Sequence, residues 1–218
     1  MHAPLTRMTR YVDKPAGLAA IREPECSLAI WQRTPFADFA ALTEGDPQDL
    51  RFSCSSQSLP ALLAQGLVTG GFGGDAVCHA ALVDDVAMLS HHFCTAMELA
   101  TCELRLEVVR TDSCRKFHAD YVTARLITTY VGEGTDWLDE ADAARVAEGG
   151  APQRIHRLAP FDVGLFKGKL ASENPAIHRS PPISETEGGA RLLLVLNPAS
   201  RSFVDGADCP LPPQGQLP

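Results

Sequence analysis

Two side chains able to ligate a metal, His118 and Asp120, stand two residues apart in the segment C-R-K-F-H-A-D-Y-V-T-A-R-L-I-T-T-Y-V-G-E-G-T-D-W-L, which begins at Cys114. On extended backbone the side chains at i and i+2 share a face, so both can reach one ion. A third ligand has to come from elsewhere, and His178, in A-I-H-R-S-P-P, is the candidate. Two imidazoles and one carboxylate form the facial set that holds non-haem Fe(II) and leaves positions open for substrate and oxygen. The same donors suit Zn²⁺ in a tetrahedral site with water as fourth ligand. The affinity order favours Zn²⁺ over Fe²⁺, so supply and geometry decide between them.

These residues need strands to hold them, and the flanking sequence supplies strand signals. Arg125–Val131 is rich in β-branched and aromatic residues and predicts a strand, broken into a turn at Gly132 and Gly134. Leu104–Val109 alternates apolar and polar residues as a half-buried strand does. Val163–Phe166 and Leu192–Leu196 predict two more strands, and Ser27–Trp31 a short one. Asp75–Met97 is the clearest helix: Asp75 is the N-cap, and Cys78, Leu82, Val86, Leu89, Phe93 and Met97 recur at helical spacing. His91 and His92 near its end diverge by ~100° and cannot easily share a metal.

Leu59–Leu67 predicts a shorter helix stopped at Gly66, and Asp139–Glu148 an exposed one ending at Gly149-Gly150. The run G-G-F-G-G at Gly70–Gly74 matches neither phosphate-loop pattern and is expected to be a hinge. Residues 1–25 look like an irregular lead-in, and no internal repeat is visible.

The order H-x-D, distant histidine, then a basic residue entering the last strand resembles the Fe(II)/2-oxoglutarate dioxygenases, in the AlkB-like and prolyl-hydroxylase-like group. The run F-D-V-G-L-F-K-G at Phe161–Gly168 resembles their penultimate strand and turn. C-R-K-F-H-A-D, T-T-Y-V-G-E-G-T-D-W-L and H-R-S-P-P together also resemble an uncharacterised bacterial family, domain of unknown function 1826, over roughly residues 104–197. The dioxygenase resemblance implies a mainly β fold with flanking helices, built on a double-stranded β-helix (jelly-roll) core. The expected organisation is an N-terminal helical and irregular layer over 1–100, the core over 101–204 and a disordered tail over 205–218.

That resemblance also implies Fe(II) on His118, Asp120 and His178, with 2-oxoglutarate as cosubstrate. Oxidative decarboxylation of 2-oxoglutarate to succinate and CO₂ would drive hydroxylation of the substrate. Its far carboxylate needs a cation. Arg191, at the start of R-L-L-L-V-L-N, matches the family order, whereas Arg125, Arg179 and Lys167 are competing anchors. Tyr130 and Tyr121 are candidates to hydrogen-bond the cosubstrate, His156 for a fourth ligand or a supporting donor, and Trp137 to close over the site. The alternative is a zinc-binding or metal-handling jelly-roll protein without turnover, or a degenerate site serving as an interaction surface.

Composition narrows the partners. Nineteen Lys and Arg against 27 Asp and Glu give a net charge of −8, which argues against a sequence-nonspecific grip on nucleic acid or an anionic membrane. A small molecule or a peptide side chain is the expected substrate, with the oligomeric state left open. The N-terminus lacks the apolar stretch of a secretory signal, and no run is long enough to span a bilayer. Seven cysteines without a C-x-x-C pair predict reduced, mostly buried thiols in a cytoplasmic protein.

Overall fold

In the computed structural model, which describes residues 8–112, 114–183 and 189–199, strands dominate and helices flank them. β1 (Met8–Val12), a 3-10 helix (Pro15–Arg22), β2 (Cys26–Trp31), a 3-10 turn (Ala40–Thr43), β3 (Leu50–Cys54), α1 (Leu59–Thr69) and α2 (Ala76–Met97) precede β4 (Cys102–Val109). Then come β5 (Ala124–Val131), β6 (Asp136–Trp137), α3 (Glu140–Ala147), β7 (His156–Arg157), β8 (Val163–Lys167), β9 (His178–Arg179) and β10 (Arg191–Pro198).

The large sheet runs β1-β2-β8-β5-β10-β4-β3, and the small one β7-β6-β9. An antiparallel bridge from His118 to His178 adds a further segment beside β9. From β4 onward the chain shuttles between the sheets: β4 large, His118 small, β5 large, β6 and β7 small, β8 large, β9 small, β10 large. Within the large sheet every pairing is antiparallel except β1 with β2.

Alternation assigns the faces of the large sheet. On β5, Ala124, Leu126 and Tyr130 join a core with Leu82, Leu89 and Phe93 of α2, while Ile127 joins a second core with Trp137, Leu158 and Phe166. On β10, Leu192, Leu194 and Leu196 face the helices and Leu193 packs against the second core. The sheet is thus a wall between a helix-side core and a smaller inter-sheet one. Burying both faces requires the near-continuous apolar run that β10 shows.

The N-terminal region is more than a helical and irregular layer. β1 and β2 extend the sheet past β8, and β3 covers the free edge of β4, which removes exposed core edges. Residues 1–25 are likewise not wholly an irregular lead-in: Met8–Val12 pair with β2, and Leu18 and Ile21 of the first 3-10 helix are buried.

Gly66 does not stop α1. The helix continues to Thr69, and the missing side chain lets Leu50 close in, since a Cβ at Gly66 would lie 2.9 Å from Leu50 Cδ1. Asp75 caps α2 by accepting from the Cys78 amide, as its spacing predicts. Among the described residues no helix is long and apolar enough to cross a membrane. The tail expected over 205–218 lies outside the described residues.

Candidate metal centre

His118 lies just ahead of β5 and His178 opens β9. Their backbones exchange two hydrogen bonds, His118 N to His178 O at 3.0 Å and His178 N to His118 O at 2.9 Å. This reciprocal pair sets the imidazoles side by side, with ring centroids 4.9 Å apart. Asp120 follows on the same face, its carbonyl held by the Lys169 amide at 2.9 Å. The outcome is a cluster in which one ligand atom from each of His118, Asp120 and His178 lies within 4.8 Å of the others.

Hydrogen bonds fix which ring nitrogens are free. Nδ1 of His118 faces the Lys116 carbonyl at 2.9 Å, and Nδ1 of His178 the Ala176 carbonyl at 3.4 Å. A carbonyl only accepts, so each Nδ1 carries a proton, and Nε2 is the ring nitrogen turned toward Asp120. Nε2 of His178 lies 3.2 Å from Asp120 Oδ2, and Nε2 of His118 lies 3.7 Å from Asp120 Oδ1. Ligand atoms each ~2.0–2.2 Å from one ion would be roughly 2.8–3.6 Å apart at right-angled to tetrahedral geometry. The two observed spacings, each to a different Asp120 oxygen, lie at or just beyond that range, and one ligand atom from each of the three residues lies within 4.8 Å of the others.

The carboxylate supports the same reading. Asp120 is 9% exposed, and its Oδ2 is buried with no hydrogen-bond partner. Its nearest charged neighbour is His178, whose Nε2 lies 3.2 Å away. A buried unpaired oxygen is costly, and a metal ion would satisfy it. Burial pushes the Asp120 carboxyl up, but adjoining His178, with Arg125 and His118, holds it below the ordinary carboxylate value. The group is therefore an anion ready to ligate.

Arg125 supports Asp120 from β5. Its Nη1 donates to Asp120 Oδ1 at 2.6 Å and its Nε to Asn197 Oδ1 at 2.7 Å. Asn197 Nδ2 in turn donates to Glu103 Oε1 at 3.3 Å, so the support spans β5, β10 and β4. Sequence reasoning overlooks Asn197. The signal was present: Asn197 shares alternation parity with Arg191, Leu193 and Val195 along β10.

Arg191 lies on the inter-sheet face. Its Nη2 donates to Thr129 Oγ1 at 3.2 Å and its Nε to the Glu133 carbonyl at 2.7 Å, while Nη1 is buried without a partner. Burial pushes its guanidinium down to about 10, with Asp136 opposing the shift. Arg179 has its charge answered, donating Nε to Asp136 Oδ2 at 3.0 Å and lying over the Phe117 ring. Asp136, fully buried and also unforeseen, accepts Arg157 Nε through its other oxygen at 2.6 Å.

Two of the expected cosubstrate residues point elsewhere. Tyr130 faces the helices and donates to Asp85 Oδ2 at 2.6 Å, and burial drives its phenol well above the usual value. Lys167 also shares the helix-side parity of Val163 and Leu165, and its Nζ donates to the Glu23 carbonyl at 2.6 Å. Strand alternation thus removes both from the site. His156 stacks on Trp137 with centroids 4.3 Å apart, a packing role for both rings. Tyr121, the other candidate to hydrogen-bond the cosubstrate, is 78% exposed.

A cavity of about 480 Å³ opens beside His118 and His178, walled by Arg125, Ile127, Thr135, Arg179 and Leu193 among others. Arg191, two positions before Leu193 on β10, is not part of that wall. The volume suits a small ligand.

The chain resembles a full-length Neurospora crassa protein solved in complex with alpha-KG at 10% identity, covering 90% of this chain and 86% of that one with a TM-score of 0.42. A Pseudomonas putida prolyl-4-hydroxylase gives 10% identity, 87% and 95% coverage and a TM-score of 0.39. A bsmA homolog from Methylobium petroleophilum gives 15%, 85% and 92%, and 0.41. Among curated proteins none matches the chain. The model of one family, described as Protein of unknown function (DUF1826), matches residues 12–197. The chain belongs to that family.

Proposed function

We propose that this protein is an Fe(II)- and 2-oxoglutarate-dependent oxygenase acting on a small molecule or an exposed peptide side chain. The observation that carries this reading is the convergence of His118, Asp120 and His178, with Nε2 of both rings turned to Asp120 and Asp120 Oδ2 unsatisfied. Strand order supports it. The large-sheet run β8-β5-β10-β4 faces a small-sheet run of β7, β6, β9 and the His118 segment. Eight segments shuttled in that order support a double-stranded β-helix.

Bound Fe(II) with 2-oxoglutarate would supply oxidative decarboxylation and the hydroxylating power. The chain's own residues bind, orient and exclude water. His118 and His178 present Nε2 because Lys116 and Ala176 hold their Nδ1 protons, and Arg125 holds Asp120 anionic and in place. Phe166, with its ring 4.7 Å from that of His178, walls the ligand on the apolar side.

Arg191 is our assignment for the distal carboxylate of 2-oxoglutarate. Arg125 is committed to Asp120, and Arg179 to Asp136. Arg191 alone of the three lacks an ion-pair partner among the described residues and keeps Nη1 without a hydrogen-bond partner. A carboxylate there would receive a charge-assisted bond from a group already desolvated.

The test is an anaerobic titration of the Fe(II)-loaded protein with 2-oxoglutarate. A saturable visible charge-transfer band, followed by succinate release in air, is the expected result. A protein that retains zinc on the same three ligands and gives neither signal is instead a metal-handling module.

A further inference from the structure

Away from the metal centre, three thiols gather where β3 ends and β4 begins. Cys54 and Cys102 stand directly opposite each other in the antiparallel ladder. Residues so opposed have Cα atoms ~4.5–5.5 Å apart, within the ~4.4–6.8 Å that a disulfide spans. Both side chains are buried, and Cys54 Sγ lies 3.8 Å from the Cys102 carbonyl oxygen. The Cys102 thiol also meets that of Cys94 from α2, and its Sγ lies 3.4 Å from Ser90 Oγ. The six described cysteines are all free.

We propose that Cys54 and Cys102 form a reversible thiol–disulfide pair, oxidised by a hydroperoxide, that staples edge strand β3 to β4. The Cys54 sulfur attacks one peroxide oxygen, the O–O bond breaks, and the departing oxygen leaves as an alcohol or water. The Cys102 sulfur then attacks the sulfur of the resulting sulfenic acid, forming the S–S bond and expelling the hydroxyl as water. In sum, two thiols give up two protons and two electrons, and the hydroperoxide is reduced to an alcohol and water. A dithiol reductant reverses the step.

The order of attack follows from the surroundings. Contact with the Cys102 thiol holds Cys54 below the usual thiol value despite its burial. The same contact and burial push Cys102 up to about 11, and Cys94 further still. Cys54 is therefore the first thiol to ionise, and Cys102 the resolving one. The staple also bears on the cavity. β4 carries Arg105 and Glu107 in its wall, and β3 is the strand that closes the sheet on that side.

The test treats the full chain with hydrogen peroxide, alkylates remaining thiols under denaturing conditions, and maps peptides without reduction. The expected product is a Cys54–Cys102 cross-linked peptide that dithiothreitol abolishes, with Cys26 recovered alkylated. Oxidation should also raise the melting temperature, and Cys54→Ser should remove both effects. Recovery of Cys54 and Cys102 as alkylated thiols while exposed Cys114 is oxidised overturns the proposal. A Cys94–Cys102 link in their place, or a melting shift that persists in Cys54→Ser, does the same. The wild-type peptide map decides the matter even if that variant does not fold.

Discussion

Arg125 donates to Asp120 Oδ1 at 2.6 Å, while the other oxygen of the same carboxylate is left without a hydrogen bond. One oxygen is held and the other is offered. Arg125→Ala is expected to weaken metal binding about 10–100-fold, the usual cost of losing a ligand's supporting partner, without abolishing it. Competition with a coloured chelator measures this. Unchanged affinity would show that Asp120 orients itself without help.

His118→Ala, Asp120→Ala and His178→Ala should each lose stoichiometric metal, measured by elemental analysis after purification and reloading. The chain should stay folded, because the larger apolar core lies on the helix side of the large sheet, opposite the face that carries the ligands. Chelator treatment of the wild type should abolish 2-oxoglutarate binding in the same samples. Full metal occupancy in any single variant would remove that residue from the site.

Arg191→Ala should leave metal binding intact and weaken 2-oxoglutarate by roughly 2–5 kcal/mol, the cost of removing one member of a buried charge pair. Arg179→Ala should have a smaller effect, since its charge is already answered by Asp136. Calorimetric titration of the two variants separates them. A larger loss in Arg179→Ala would transfer the anchor to the residue that lines the cavity.

The helix side holds a second buried ionic group. Arg33 Nη1 and Asp85 Oδ1 are 2.6 Å apart with both side chains 6% exposed, and Tyr130 donates to the other Asp85 oxygen. Asp85→Ala would leave the Arg33 guanidinium buried and unpaired, destabilising the fold by roughly 3–5 kcal/mol. Tyr130→Phe removes one hydrogen bond to a charged group and should cost about 1.5–3 kcal/mol. Urea unfolding of both variants checks the ranking, which fails if Tyr130→Phe is the more damaging.

By itself the sequence determined the local elements and pointed to three residues, His118, Asp120 and His178, that the fold brings together. Asp75–Met97 has helical spacing and a capping aspartate, and Arg125–Val131 has β-branched density. The H-x-D spacing commits His118 and Asp120 to one face wherever the backbone is extended. All of these depend on neighbours in the chain, which the sequence displays directly. Only the tertiary structure decided which basic and aromatic residues share the site. Tyr130 and Lys167 lie on strands next to it, yet their parity turns them to the helices, and parity acquires a direction only once sheet faces are assigned. Arg191 faces inward because β10 lies between β4 and β5, a pairing across long stretches of chain that no local pattern specifies. Asn197 and Asp136 gained roles for the same reason: each answers a guanidinium brought from a distant strand.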